Sequence, residues 1–260
     1  MNKLVKKFFS AHLNDIALEI ASPSKSFTGN LIRKQLSIGS KILNETAINQ
    51  FPLQNGNNYL EIGFGRGDGI KIFYDKLKQN NIQSKLFGVE ASAAALDKAI
   101  HRFALEIEDK EIVLEGCTHL GLLPFPNNFF DGIYHVDVFY YWSDNNMPKI
   151  ERELFRILKP NCKLVCTMDL NRLKEWEKWN ILSSKDFDVM RYLELLEPCG
   201  FENIKVEYKQ VDKNREIQII SANKPQKDIS DDDPEMKFKE LENDIKNYLL
   251  TEAILNKKIA

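Results

Sequence analysis

Gly63, Gly65, Gly67 and Gly69 alternate with larger residues in the segment Tyr59-Leu-Glu-Ile-Gly-Phe-Gly-Arg-Gly-Asp-Gly69. An apolar strand pattern enters this turn, and the helical pattern Ile70, Ile72, Phe73 leaves it. Glycines permit positive φ and let a ligand approach the backbone, while the helix start offers free amides to an anion. The spacing narrows the choice of ligand. A dinucleotide fingerprint GxGxxG/A begun at Gly63 requires a small residue where Asp68 stands, and begun at Gly65 it meets Ile70. Glu61 and Asp68 would repel a pyrophosphate, whereas a ligand with a free amino group would be drawn to them. No GxxxxGKS or GxxxxGKT occurs, which excludes a Walker-type nucleotidase. A further acid, Glu90, ends the run Lys85-Leu-Phe-Gly-Val-Glu90, 27 residues after Gly63. An ionised carboxylate at a strand tip can accept both hydroxyls of a ribose. Taken alone, Glu90 fits equally well as a cap for the helix starting near Ser92; beside the glycine turn, ribose binding is the better fit.

These residues need a scaffold, and the chain supplies three zones. Residues 1–56 carry two helical patterns. The first holds Leu4, Val5, Phe8, Phe9, Leu13, Ile16 and Ile20; the second, after Pro23, holds Leu31, Ile32, Leu36, Ile42 and Leu43. Residues 57–223 alternate strand and helix. Strands are predicted at 58–62, 85–90, 112–115, 132–136, 163–168, 204–208 and 217–222, and helices around 67–79, 93–106 and 146–158. The expected fold is α/β: a doubly wound, Rossmann-like sheet of seven strands, mostly parallel, with an antiparallel hairpin formed by the last two. Residues 224–260 open with the polar stretch KPQKDISDDD. They then show Leu241, Ile245, Tyr248 and Leu249 on one helical face, after Asp233 as cap and Pro234. That stripe predicts docking on the same domain, or contact with a second copy or a partner.

Composition limits the function classes. Thirty-six Lys and Arg against thirty-eight Asp and Glu leave a formal charge of −2, without the basic field that captures nucleic acid. No apolar run reaches the roughly 20 residues of a membrane span, and no secretory signal pattern opens the chain. A cytoplasmic location is expected. Lys3, Lys6 and Lys7 before the first acid leave a mitochondrial presequence as the minor alternative, against which the lack of Arg before Arg33 counts. Cys117, Cys162, Cys166 and Cys199 form no CxxC pair. Cys162 and Cys166 sit about 13 Å apart if both lie on one strand, which predicts neither a disulfide nor a metal site.

The chain resembles class I S-adenosylmethionine-dependent methyltransferases of the type 11-like, small-molecule branch. The strand-and-turn pattern is matched throughout Tyr59–Gly67. Leu123-Pro-Phe-Pro-Asn-Asn-Phe-Phe-Asp131 is similar to that branch's LPFPxxxFD segment, Arg156-Ile-Leu-Lys-Pro-Asn161 to its RxLKPGG loop, and Tyr140-Tyr141-Trp142 to its aromatic cluster after the fourth strand. The resemblance implies S-adenosylmethionine as cofactor, S-adenosylhomocysteine as product and a small-molecule acceptor. It implies Glu61 near the methionine amino group, the turn of Gly63, Gly65 and Gly67 beneath methionine and ribose, and Glu90 on the ribose hydroxyls. Ala91, Cys117 and Thr118 would lie near the adenine, and the His135 carbonyl near the cofactor amine. Cys117 stands where the family usually has an acid, and Asn161 and Cys162 replace two glycines. The missing Asn/Asp-Pro-Pro-Tyr tetrad argues against the DNA amino-methylating enzymes. The helical residues 1–56 are expected to cover the site.

Methyl transfer from a sulfonium is an in-line displacement that positioning alone can accelerate by roughly 7–11 kcal/mol. A general base helps where the acceptor must lose a proton. Asp137 is the first candidate, then His135, Tyr140 and Tyr141; Asp137 fits a helix cap or loop hydrogen bond as well. The alternatives are a catalytically silent S-adenosylmethionine-binding module that steadies a partner, and a nicotinamide-dependent oxidoreductase, which Glu61 and Asp68 oppose.

Overall fold

The computed structural model describes residues 40–212 and 215–226, with Glu242, Ile245 and Leu249. The first predicted helix, the Pro23–Leu36 part of the second, and the 233–241 start of the C-terminal helix with Tyr248 lie outside the described residues. Ile245 and Leu249 are helical and exposed.

The described residues form a seven-stranded sheet. Its strands are β1 (Asn58–Ile62), β2 (Lys85–Glu90), β3 (Ile112–Gly116), β4 (Phe130–Val136), β5 (Leu158–Asp169), β6 (Glu202–Asp212) and β7 (Arg215–Asn223). The order is β3-β2-β1-β4-β5-β7-β6. The first five are parallel; β7 runs antiparallel to both β5 and β6. The order reverses between β1 and β4, where a crevice opens at the C-terminal strand ends of such sheets.

Helices follow where the sequence shows a buried stripe. Residues 40–48 (α1) bury Leu43, Ala47 and Ile48. In α2 (Asp68–Gln79), Ile70, Phe73 and Leu77 share the buried face, with Asp68 in the first turn and Lys76 and Lys78 in the last, complementing the helix dipole. Ser92 caps α3 (Ala93–Arg102), and α4 (Ala104–Glu108) continues from it. The α5 helix (Met147–Ile157) buries Met147, Ile150, Leu154 and Ile157. Between β5 and β6 stand two helices that the periodicity did not announce, α6 (Leu170–Lys178) and α7 (Val189–Leu196).

Strand alternation splits the core into two layers. Tyr59, Leu86, Tyr134 and Val165 pack with α1 and α2; Leu60, Phe87, Ile133 and Cys166 pack with α5 and α7. The LPFP segment and the Arg156–Asn161 loop prove to be fasteners. Arg156 donates to Glu153, to Asn127 Oδ1 and to the Leu123 carbonyl, clamping the LPFP loop onto α5. Lys159 donates to Asp131, whose Oδ2 also accepts from the Asn58 amide. Asn161 takes φ +60°, a conformation Asn tolerates better than most non-glycine residues, so the lost glycine is accommodated. Lys224, which composition places at the head of the polar linker, is buried. Its ammonium donates to Asn128 Oδ1 and to the Phe155 and Leu158 carbonyls.

Candidate active site

The glycine turn leaves β1 with Gly63, Gly65 and Gly67 all at positive φ. Two of them are also packed too tightly for a side chain. A Cβ on Gly63 would meet Val138 at 2.8 Å, and one on Gly67 would meet the Phe103 ring at 2.4 Å. Gly65 differs: a Cβ there would meet nothing within 4 Å. That open space is where a ligand could lie against the backbone. Asp68 does not face it as a free charge, since Arg102 donates to Asp68 Oδ1 at 2.6 Å.

Glu90 sits at the tip of β2 with each oxygen already oriented. Oε2 accepts from the Gly65 amide and Oε1 from the Ser92 amide, both at 2.8 Å. Cap and ligand roles are therefore compatible, because each carboxylate oxygen keeps a second lone pair. Glu90 lines a cavity of about 1050 Å³, together with Ala91, Ser92, Thr118 and His119. Cys117 does not line it; its thiol packs against the core and burial pushes its pKa up.

A second cavity, of about 210 Å³, lies beside the turn. Both cavities are walled in part by Gly63, Val136, Asp137 and Tyr141, so they meet at the ends of β1 and β4. Glu61 lines the small one and is 4% exposed. It accepts from the Tyr134 hydroxyl at 2.8 Å. Burial pushes its carboxyl from 4.5 up to about 8; the Tyr134 hydrogen bond opposes this, and the charges of Asp68 and Glu90 add to it.

Two residues with no sequence signal complete the small cavity. Asn44 of α1 donates Nδ2 to the Ser40 carbonyl, and its Oδ1 is buried with no partner among the described residues. Arg172 of α6 donates Nη2 to Asp137 Oδ2, yet its Nε is buried without a partner among them. Burial, then the Arg215 charge, lowers the Arg172 pKa to about 10, so it remains a cation at neutral pH. Arg215 in turn donates to Asp169 at 2.9 Å.

The candidate bases are placed unequally. Asp137, at φ +57°, sits where the cavities join, but its carboxylate is engaged by Arg172 and accepts from the Asp169 amide at 3.4 Å. Tyr140 lines the small cavity; burial, then Tyr141, pushes its hydroxyl pKa well up, so it acts as a neutral donor. The His135 side chain is not brought to the site. It lies on the opposite sheet face from Glu61, fully buried against Trp142, with Nε2 2.9 Å from the Tyr192 hydroxyl. Burial drops its pKa to about 3. Register explains this: Glu61 pairs with Tyr134, and the next residue must point the other way.

Residues 60–166 match the family model of the methyltransferase domain. A relative, the uncharacterized methyltransferase YdaC of Bacillus subtilis (strain 168), is 25% identical over 187 residues, 72% of this chain and 93% of its own length. Phosphoethanolamine N-methyltransferase 2 of Haemonchus contortus, solved with phosphomonomethylethanolamine and S-adenosylhomocysteine, matches with a TM-score of 0.55 at 21% identity. That match covers 71% of this chain and 53% of the other, so the chain spans about half that enzyme's length. The complex of the Haloferax volcanii Trm112 methyltransferase activator with a methyltransferase gives 0.58 at 16% identity, over 74% of this chain and 92% of that one. The sheet order gives the described body the Rossmann-like fold of these neighbours, and residues 60–166, which hold the glycine turn, carry its match to the methyltransferase domain. Among the described residues no helix is long and apolar enough to cross a membrane.

Proposed function

We propose that the chain binds S-adenosylmethionine along the two joined cavities and moves its methyl group to a small-molecule acceptor by in-line displacement. One observation carries this reading. Glu90, the open face of Gly65, and Glu61 follow one another along a single crevice, and its orphaned polar atoms fit a ligand of mixed charge. Bound there, the cofactor supplies an electrophilic methyl group; the acceptor forms its new bond as the carbon–sulfur bond breaks, and the electron pair goes to sulfur.

The chain's residues bind and orient. The free lone pairs of Glu90 take the ribose hydroxyls. Ala91 and Thr118 border the adenine, and the open face of Gly65 lets the backbone approach. Glu61 receives the amino group. Tyr140, Tyr141 and Trp176 wall the acceptor side, which keeps water out and donor and acceptor aligned. Asp137 holds Arg172 there, and it can accept an acceptor proton only by giving up part of that pairing. Ser40 and Asn44 of α1 border this side. The small-molecule ligand named for the Haemonchus contortus enzyme supports the acceptor class.

The test is calorimetric titration of the full chain with S-adenosylmethionine and S-adenosylhomocysteine. Glu90→Gln retains one carbonyl oxygen for a backbone amide and should weaken both ligands by roughly 10–100-fold, the usual worth of hydrogen bonds to a charged group. Binding should be followed by methyl transfer to small acceptors from methyl-labelled cofactor. An intact protein that binds neither ligand would refute the reading. Binding without transfer to any acceptor would instead favour the silent module.

A further inference from the structure

Leu122 lines the large cavity and is 78% exposed, so a large apolar side chain faces that space with little packed on it. Leu120, Trp142 and Ile150 line the same cavity. The fold holds this wall in place. The Leu123 amide donates to Glu153 Oε1 at 2.6 Å, Arg156 reaches the Leu123 carbonyl, and a Cβ on Gly121 would lie 3.1 Å from that of Lys149. The loop 119–122 is therefore fastened to α5 at both ends of its contact. At about 1050 Å³ the cavity matches the upper end of sites that enclose a whole drug-sized ligand, roughly 300–1,000 Å³. On the reading above it receives only the ribose and the purine, because the amino-acid end lies by Glu61. Room is left over beyond the base.

This space lacks an anion for the purine's amino group. Of the described residues that line it, two carry a carboxylate, Glu90 and Asp137. Glu90 is held by the Gly65 and Ser92 amides at the ribose end, and Asp137 by Arg172 where the cavities join. Cys117 contributes nothing here. Its amide continues the β2–β3 ladder by donating to the Glu90 carbonyl at 3.0 Å, while its thiol accepts from the His119 amide and packs on the core. Thr118 and His119 offer a hydroxyl and an imidazole. A hydrogen bond between neutral groups is worth roughly 2–12-fold in affinity, against roughly 12–160-fold where one partner is charged.

We infer that this chain does not read the purine's exocyclic amino group, and that the space walled by Leu120, Leu122, Trp142 and Ile150 is an annex that takes an apolar substituent on that nitrogen. The ligand class is an adenosyl thioether or sulfonium carrying an alkyl or aryl group there. The inference rests on the function proposed above and makes Leu122 a specificity-determining residue of the site.

The experiment is calorimetry on the full chain with S-adenosylhomocysteine and two analogues. One has the amino group replaced by hydrogen, and the other carries a benzyl group on the amino nitrogen. Removing the amino group should cost less than about tenfold, and the benzyl analogue should bind at least as tightly as the parent. 5′-Methylthioadenosine, which lacks the amino-acid end, should lose nothing on benzylation either. Leu122→Ala should weaken the benzyl analogue by roughly fivefold, the worth of about 40 Å² of apolar contact, and leave the parent within about twofold. The parent thereby reports that the variant is folded. A loss of tenfold or more on removing the amino group means that a charged acceptor reads it, and overturns the inference. Weaker binding of the benzyl analogue in either series overturns it too, as does a benzyl analogue that Leu122→Ala binds as tightly as the wild type. A wild type that binds none of these ligands refutes the cofactor reading itself.

Discussion

At pH 7 a carboxyl that titrates near 8 is mostly protonated, so an ammonium group brought against Glu61 must displace a proton. The displacement sets a pH dependence that can be worked out. Below pH 8 the ionised fraction of Glu61 rises nearly tenfold per unit, so ligand affinity should rise by roughly 75-fold from pH 5.5 to 7.5 and flatten above 8. Close to one proton should leave per ligand at pH 6.5, measurable by calorimetry in two buffers of different ionisation enthalpy. Glu61→Gln should bind S-adenosylhomocysteine weakly and with a flat profile, and 5′-methylthioadenosine should show no such slope with either protein. The same group affects the free protein. Its folded pKa lies above the unfolded one, so folding stability is full below pH 4.5, falls as the pH rises, and has lost its share by pH 8. The ceiling on that loss is about 5 kcal/mol, at 1.36 kcal/mol per pH unit. A wild-type affinity that is level across pH 5.5–7.5 without proton release would refute the reasoning, as would a slope that survives in Glu61→Gln.

Other expectations can be checked by denaturation and binding. Gly67→Ala forces a Cβ to within 2.4 Å of Phe103 at φ +78° and should lower stability by more than about 2 kcal/mol in urea titrations. Gly65→Ala meets open space, so its stability loss should be nearer 1 kcal/mol, with the larger effect on cofactor affinity. Glu151 is fully buried with both carboxylate oxygens unpartnered among the described residues, and burial pushes its pKa up to about 9. Its folded pKa is also raised, so its cost grows from pH 4.5 to 9; Glu151→Gln should therefore raise Tm more at pH 8 than at pH 5. Lys224→Met strands three acceptors and should cost about 2–4 kcal/mol in the same urea titrations, without a change in ligand affinity relative to folded protein.

What the sequence disclosed and what it hid have physical causes. β1 and β2 were legible to the residue, because Tyr59–Ile62 and Leu86–Val89 are short apolar runs bounded by a turn and an acid. The two candidate acids were legible for the same reason: Glu61 and Glu90 interrupt or end apolar strands, where a carboxylate needs a purpose. The α6 helix was not, since only Leu173 and Trp176 of its nine residues are buried and the rest looks like loop. Arg172 was lost with it. Asn44 carries no pattern of its own; it lies near Glu61 only because α1 packs over Gly69 at the start of α2. His135 marks a different limit. Its chemistry suggested a base, but which sheet face it occupies depends on the β1–β4 register, and that register is a tertiary fact.

The four charges at the end of β5 form two acid–base pairs, Asp137 with Arg172 and Asp169 with Arg215, and their sum is zero. The proposed cofactor enters as a sulfonium cation and leaves as a neutral thioether. A change in the local potential therefore acts on the substrate form and hardly on the product form. Arg215 stands on β7, outside both cavity walls, and its removal would leave the group with one net negative charge. On the proposed reading, substitution there should shift the ratio of substrate to product affinity, and so product inhibition, from a strand that lines neither cavity.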